Sequence, residues 1–147
     1  MAKLTTFLWF DGTLGEALEF YAGVFDDFTL HSSNRSGPDD LVVSAQFSML
    51  GYEIYAMGWP GSQPFTSATS LFLSVDGQDE VDRYWEALTR GGTPGQCGWL
   101  TDPFGLSWQV IPTQFGEHTG NADPQKSAYA WTAMRSMSKI IIDDLYE

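Results

Sequence analysis

The chain has 147 residues, the size of one domain, and its 43% hydrophobic and 15% aromatic content is ample for a real core. Seven Lys and Arg against 19 Asp and Glu give a formal charge of −12, which repels phosphate backbones and anionic lipid surfaces, so neither nucleic acid nor membrane is an expected partner. Cys97 is the sole cysteine, which excludes an internal disulfide and a multi-cysteine metal site and makes the cytoplasm the expected compartment.

In chain order, residues 3–10 are an apolar, β-rich run, too short before Asp11 for a signal peptide or a membrane helix. Asp11-Gly12 closes it, and Leu14, Ala17, Leu18, Tyr21 and Phe25 then recur at helical spacing, with Thr13 and Glu16 as an expected capping box. A strand is expected over 28–34, a breaker-rich loop over 34–40, and a hairpin of residues 41–49 and 52–57 around Leu50-Gly51. Residues 1–58 thus read as β-α-β-β-β. The two prolines and one glycine of 59–64 make a linker or a loop over a site.

The opening then repeats. Phe7-Leu8-Trp9-Phe10-Asp11-Gly12 lines up with Phe72-Leu73-Ser74-Val75-Asp76-Gly77, and each copy precedes a helical segment. The second helix, over 79–89, is expected to bury Val81, Tyr84, Trp85 and Leu88 before Gly91-Gly92 stops it. A second hairpin follows, residues 97–101 and 106–111 flanking Asp102-Pro103-Phe104-Gly105. Asp102 can accept from the backbone two residues on, and Gly105 can take a positive φ. In its second strand Leu106, Trp108 and Val110 share one face, and Ser107, Gln109 and Ile111 the other. The second module spans 69–112. Two copies of one unit that each leave a sheet face bare predict a pairing that covers both and leaves a cleft. Residues 113–123 read as loose, and a helical extension over 121–147 begins with a helix over 124–138 striped by Ala130, Met134 and Met137. A last short helix or strand is expected over 139–146.

The blocks Phe7-Leu8-Trp9-Phe10-Asp11-Gly12, residues 80–88, and residues 97–109 resemble the vicinal-oxygen-chelate superfamily, the glyoxalase and bleomycin-resistance fold, and within it the PhnB-like branch often described as 3-demethylubiquinone-9 3-methyltransferase. The resemblance covers nearly the whole chain. It implies an α+β protein, residues 1–147 forming a single domain of paired βαβββ modules around a pocket, with a C-terminal helical tail and a homodimeric assembly. Metal enzymes of this superfamily place His or Glu at positions that match Thr5 (or Thr6), Tyr55, Ser70 and Gln109 here. Hydroxyls and one amide are poor ligands for a divalent cation, so no metal and no cofactor is expected. The glycines of 58–61 and 91–92 likewise lack the strand-to-helix setting of an S-adenosylmethionine cradle.

Alternation places Ser70, Phe72 and Ser74 on the cleft face of the second module, with Ser107 and Gln109 beside them. By the repeat, Thr5, Phe7 and Trp9 face the cleft in the first, although superfamily spacing also allows the phase of Thr6, Leu8 and Phe10. Tyr55 lies four residues after Gly51, as Gln109 lies four after Gly105. These residues, Thr5, Phe7, Trp9, Tyr55, Ser70, Phe72, Ser74, Ser107 and Gln109, are the ligand-binding candidates. Glu53, the acid of that face, is either a general base or a salt-bridged surface carboxylate. His31, His118 and Cys97 read as surface or structural, and Trp99 and Trp108 as core. The functions these features support are binding of a small molecule in a neutral, aromatic-lined pocket; a lyase, isomerase or transferase of the same superfamily; or a structural or regulatory dimer.

Overall fold

The computed structural model describes residues 1–146, which divide into two compact units, Met1–Pro64 and the chain from Phe65 onward. The first contains β1 (Thr6–Trp9), α1 (Leu14–Val24), β2 (Thr29–Ser36), β3 (Leu41–Met49) and β4 (Tyr52–Met57). Its sheet runs β1-β4-β3-β2. The hairpins supply the antiparallel pairs, whereas β1 lies parallel to β4, a pairing that requires the intervening helix to carry the chain back. The β3–β4 hairpin has the bounds expected from its alternation, and β2 runs two residues further into the 34–40 loop than expected.

One face of this sheet carries the core. Leu14, Ala17, Leu18, Tyr21 and Val24 of α1 are buried, and the Tyr21 ring lies 6.1 Å from Phe10 and 6.4 Å from Phe47 between centroids. Leu8, Ala45, Ile54 and Ala56 complete that layer. Each large apolar side chain so buried contributes about 1.5–3 kcal/mol. The Thr13–Glu16 capping box is not formed: Thr13 makes no side-chain cap hydrogen bond, with φ −123° and ψ 16° in place of the extended conformation that aims an N-cap oxygen at the first turn.

The second unit repeats the topology with β5 (Ser70–Val75), α2 (Gln78–Thr89), β6 (Thr93–Pro94), β7 (Trp99–Thr101) and β8 (Ser107–Pro112), ordered β5-β8-β7-β6 with β5 parallel to β8. The two-residue β6 completes the βαβββ count. Val81, Tyr84 and Leu88 of α2 are buried, while Trp85 is half-buried rather than core. The hairpin turn is held by Asp102, 2% exposed, whose Oδ1 accepts from Phe104 N at 2.9 Å and Leu106 N at 3.1 Å and whose Oδ2 accepts from Trp108 Nε1 at 2.9 Å. A buried carboxylate is tolerated because several donors replace its water.

The tail departs from expectation. The segment read as loose contains a helix, α3 (Thr113–Thr119), with Phe115 buried; α4 runs Pro124–Arg135, and a 3-10 helix spans Ile142–Leu145. The Ala130, Met134 and Met137 stripe is used inside the unit. Ala130 is buried in a cluster with Ile111, Phe115, Ile140 and Leu145, against which Met134 and Met137 pack. The Gln78 side chain clamps the tail, donating to Ile140 O at 3.0 Å and accepting from Ile142 N at 2.8 Å. Lys139 Nζ lies 2.7 Å from Asp82 Oδ1.

Candidate ligand-binding faces

In each unit the helix covers one sheet face, and strand register shows what the other face carries. In the first, Phe7, Tyr55 and Gln46 are neighbours across β1, β4 and β3; Trp9, Met57 and Ser44 form the next row. Phe7 is 57% and Tyr55 40% exposed, whereas Leu8 and Phe10 are buried. The phase of β1 is therefore that of Phe7 and Trp9. Thr6 turns the other way and shares a 2.5 Å hydrogen bond with the Tyr52 hydroxyl, and Thr5, half-buried, precedes the strand. The Trp9 indole donates to Trp59 O at 2.7 Å, and Asp11 Oδ1 accepts from Gly61 N at 2.6 Å, so the 59–64 loop is tied back to the start of its own module.

The second unit repeats this pattern with different chemistry. Phe72, Gln109 and Trp99 form the row equivalent to Phe7, Tyr55 and Gln46. Phe72 is 59% exposed, matching Phe7. Gln109 Nε2 donates to Ser70 Oγ at 3.0 Å, which orients the amide and leaves its carbonyl oxygen as an acceptor on the open side. Ser74 is exposed. Ser107 lies on the same face but is only 5% exposed, next to Thr101, so of the candidates it offers the least surface. Ile111, on this face beside Ser74, is covered by the tail cluster. Trp99 was read as core from its sequence; its pairing with Gln109 puts it, half-buried, on the open face, whereas Trp108 is core.

Glu53 stands on the open face of the first unit beside Ser48. Gln46 Nε2 donates to its Oε2 at 3.4 Å, and His31 Nε2, from the bulged stretch of β2, lies 3.5 Å from its Oε1. Sequence spacing gave no sign of the His31–Glu53 approach, since it depends on which strands become neighbours. A cavity of about 880 Å³ lies elsewhere, lined by His118, Lys126, Tyr129 and Thr132 of the tail and by none of the candidate residues. The strand faces, by contrast, are open surface rather than a cavity.

The 3-demethylubiquinone-9 3-methyltransferase family matches residues 2–111, the two βαβββ modules without the tail. The chain belongs to this family. No curated protein matches it. Among solved structures, the PhnB protein from Bacillus cereus, a putative 3-demethylubiquinone-9 3-methyltransferase, is 29% identical, covering 76% of this chain and 99% of its own at a TM-score of 0.69. PA1353 from Pseudomonas aeruginosa is 22% identical over 76% and 98% with a TM-score of 0.65. The fosfomycin resistance protein FosX from Listeria monocytogenes, solved with Mn(II) and sulfate, is 17% identical over 75% and 91% with a TM-score of 0.57. The fold is thus the glyoxalase and bleomycin-resistance fold of the vicinal oxygen chelate superfamily.

The residues present do not suit a divalent metal, and two of the glycines of 58–61 and 91–92 are closed to an S-adenosylmethionine cradle. At the positions that match the superfamily's metal ligands stand Tyr55, Ser70 and Gln109, none of them an anion or imidazole, and among the described residues no three His, Cys, Asp or Glu side chains converge on a cation site. An S-adenosylmethionine cradle needs glycine surface free for the cofactor. A Cβ on Gly58 would stand 2.2 Å from Val42 O, and one on Gly92 2.2 Å from Thr101 O, so both glycines are already used for backbone packing within their own modules.

Proposed function

We propose that this family member is a small-molecule binding protein whose ligand lies on the open strand faces, in a setting that is largely uncharged and aromatic. The observation that carries the reading is the Gln109 amide, held by Ser70 at 3.0 Å beside the exposed Phe72 and the half-buried Trp99. A ring that is 59% exposed in mid-strand contributes little to folding, and an oriented amide next to it supplies one directional contact to an apolar body. Phe7, Trp9 and Tyr55, with Thr5 just before the strand, offer the equivalent surface on the first module's own face.

A homodimer is part of the proposal. Each module covers only one sheet face with its own helix, and exposed aromatic surface of this kind is what a second subunit or a ligand shelters. The Ala130–Met134–Met137 stripe, packed within its own unit, lends the dimer no support. The proposed compartment is the cytoplasm, on the strength of the lone cysteine; among the described residues no helix is long and apolar enough to cross a membrane.

A fragment screen by thermal shift, followed by calorimetry on Gln109→Leu, tests the binding reading. The substitution keeps the approximate volume and leaves a ligand hydrogen bond unmatched, so affinity should fall by about 1–3 kcal/mol with the fold intact. Unchanged affinity would remove the second-module face from the site. Light scattering at micromolar concentration should return twice the chain mass of 16.3 kDa; the chain mass itself would count against the dimer.

A further inference from the structure

The two open faces differ in one charged group, and this difference points to a class of ligand. We infer that the face of the first module selects ligands carrying an ammonium group, with the charge at Glu53 and the apolar body against Tyr55 and Phe7. The inference rests on the strand-face reading above and specifies its chemistry.

Glu53 is the one carboxylate among the described strand residues of that face, whose other members include Phe7, Trp9, Ser44, Gln46, Ser48, Tyr55 and Met57. Both of its contacts are long, 3.4 Å from Gln46 Nε2 and 3.5 Å from His31 Nε2. A carboxylate has about four lone-pair positions, so a further donor can be accepted without displacing either neighbour. The oxygens are within reach of solvent, the side chain being 36% exposed. His31 itself illustrates the geometry, its Nε2 brought to the carboxylate from the side of β2.

Two residues along β4 from Glu53, on the same face, stands Tyr55, whose neighbour on β1 is Phe7. These are two well-exposed rings beside one acid, and a cation is drawn to an aromatic face as well as to a carboxylate. Anionic ligands find the reverse. The rows named above hold no Lys or Arg, and Arg35 of β2 is engaged by Asp40, with Nη1 3.7 Å from its Oδ2 and 3.1 Å from its carbonyl oxygen. The net charge of −12 adds a field that concentrates cations and repels anions before contact. The second module carries no acid at the row equivalent to that of Glu53, where Ser70, Ser107 and Thr101 stand.

Three probes of one shape separate charge from apolar contact: 2-phenylethylamine, 2-phenylethanol and 3-phenylpropanoate, titrated at pH 7 against the full chain and read by calorimetry and by NMR shifts at Phe7 and Tyr55. The amine should bind at least about tenfold more tightly than the alcohol, and the acid should bind more weakly than both. In Glu53→Gln, which replaces an accessible carboxylate and leaves the melting temperature unchanged within error, the amine and alcohol should come within about twofold. Equal binding of amine and alcohol to the wild type, with shifts at Phe7 and Tyr55, overturns the ammonium inference and leaves the strand-face reading standing. A preference for the amine that survives Glu53→Gln overturns it as well, because the charge is then read elsewhere. If none of the three probes perturbs Phe7 or Tyr55, the face reading falls and takes the inference with it.

Discussion

Phe7 with Tyr55 and Phe72 with Gln109 occupy the same places in two sheets of identical strand order, yet their surroundings have diverged. The first module keeps Phe7 and Tyr55 exposed and sets a carboxylate beside them. The second replaces the phenol by an amide locked on Ser70 and loses the Ile111 end of its face to the tail. Repetition of the backbone thus preserves where a ligand can be met, and the side chains decide what is met there. The hairpin turns diverge in the same way. In the second module three donors converge on the buried Asp102, whereas in the first the turn residue Leu50 donates its N–H to the exposed Asp27 Oδ1 at 2.9 Å.

The largest expected effect sets these two turns against each other. Asp102→Ala removes the acceptor of the buried Leu106 N and of the Trp108 indole N–H and should cost about 3–5 kcal/mol in urea unfolding, while Asp27→Ala should cost about 1 kcal/mol or less. Similar losses for both would mean that the turns are not differently anchored. Next comes the tail, which only the second module carries. Ile140→Ala, at a fully buried position, should cost about 2–4 kcal/mol. It should also speed amide exchange at Cys97 and Gly98, whose N–H groups donate at 2.8 Å to Met137 O and Ser138 O. Exchange unchanged at those two amides would show that the tail is held by other contacts.

The smallest effect concerns the ion pair that ties Lys139 of the tail to α2. Hydrogen bonds from Lys139 and then Gln78 hold the Asp82 carboxyl below its ordinary value, against a small opposing effect of burial. A depressed folded value means that the stabilisation is complete above the ordinary carboxylate range and is lost as pH falls through the folded value. With the Asp82 side chain 46% exposed, solvent screening limits the contribution to a few tenths of a kcal/mol. The difference in stability between wild type and Asp82→Asn should therefore be slight at pH 7 and vanish in strong acid. A difference that grew as pH fell would reverse the assigned sign.

Much of the architecture was legible because it is written in local spacing. The alternation in residues 41–57 located a hairpin to the residue, and the repeat of Phe7-Leu8-Trp9-Phe10 at Phe72-Leu73-Ser74-Val75 announced two equivalent strands, whose phenylalanines are in fact equally exposed. Asp102 was recognisable as a turn acceptor from its place before Pro103 and Gly105, although not as the partner of Trp108. Helix α3 is not legible in the sequence because its Gly116 and polar residues carry little periodicity; Phe115 is the one buried side chain that anchors it.

What the sequence by itself determined is therefore the first helix and the longer strands of each module, the equivalence of the two modules and the face that Phe72 shares with Gln109, since side-chain alternation and apolar period are properties of neighbouring residues, whereas the phase of β1 and the two-residue β6 came only with the fold. Tertiary structure alone decided that Trp99 sits beside Gln109, that His31 reaches Glu53, that Gln78 grips the tail at Ile140 and Ile142, and that the methionine stripe is spent on Ile111 and Phe115. Each of these depends on which distant segments become neighbours and in what register. For the strand residues among them, a shift of one residue in that register would turn Trp99 away from Gln109 to the opposite face.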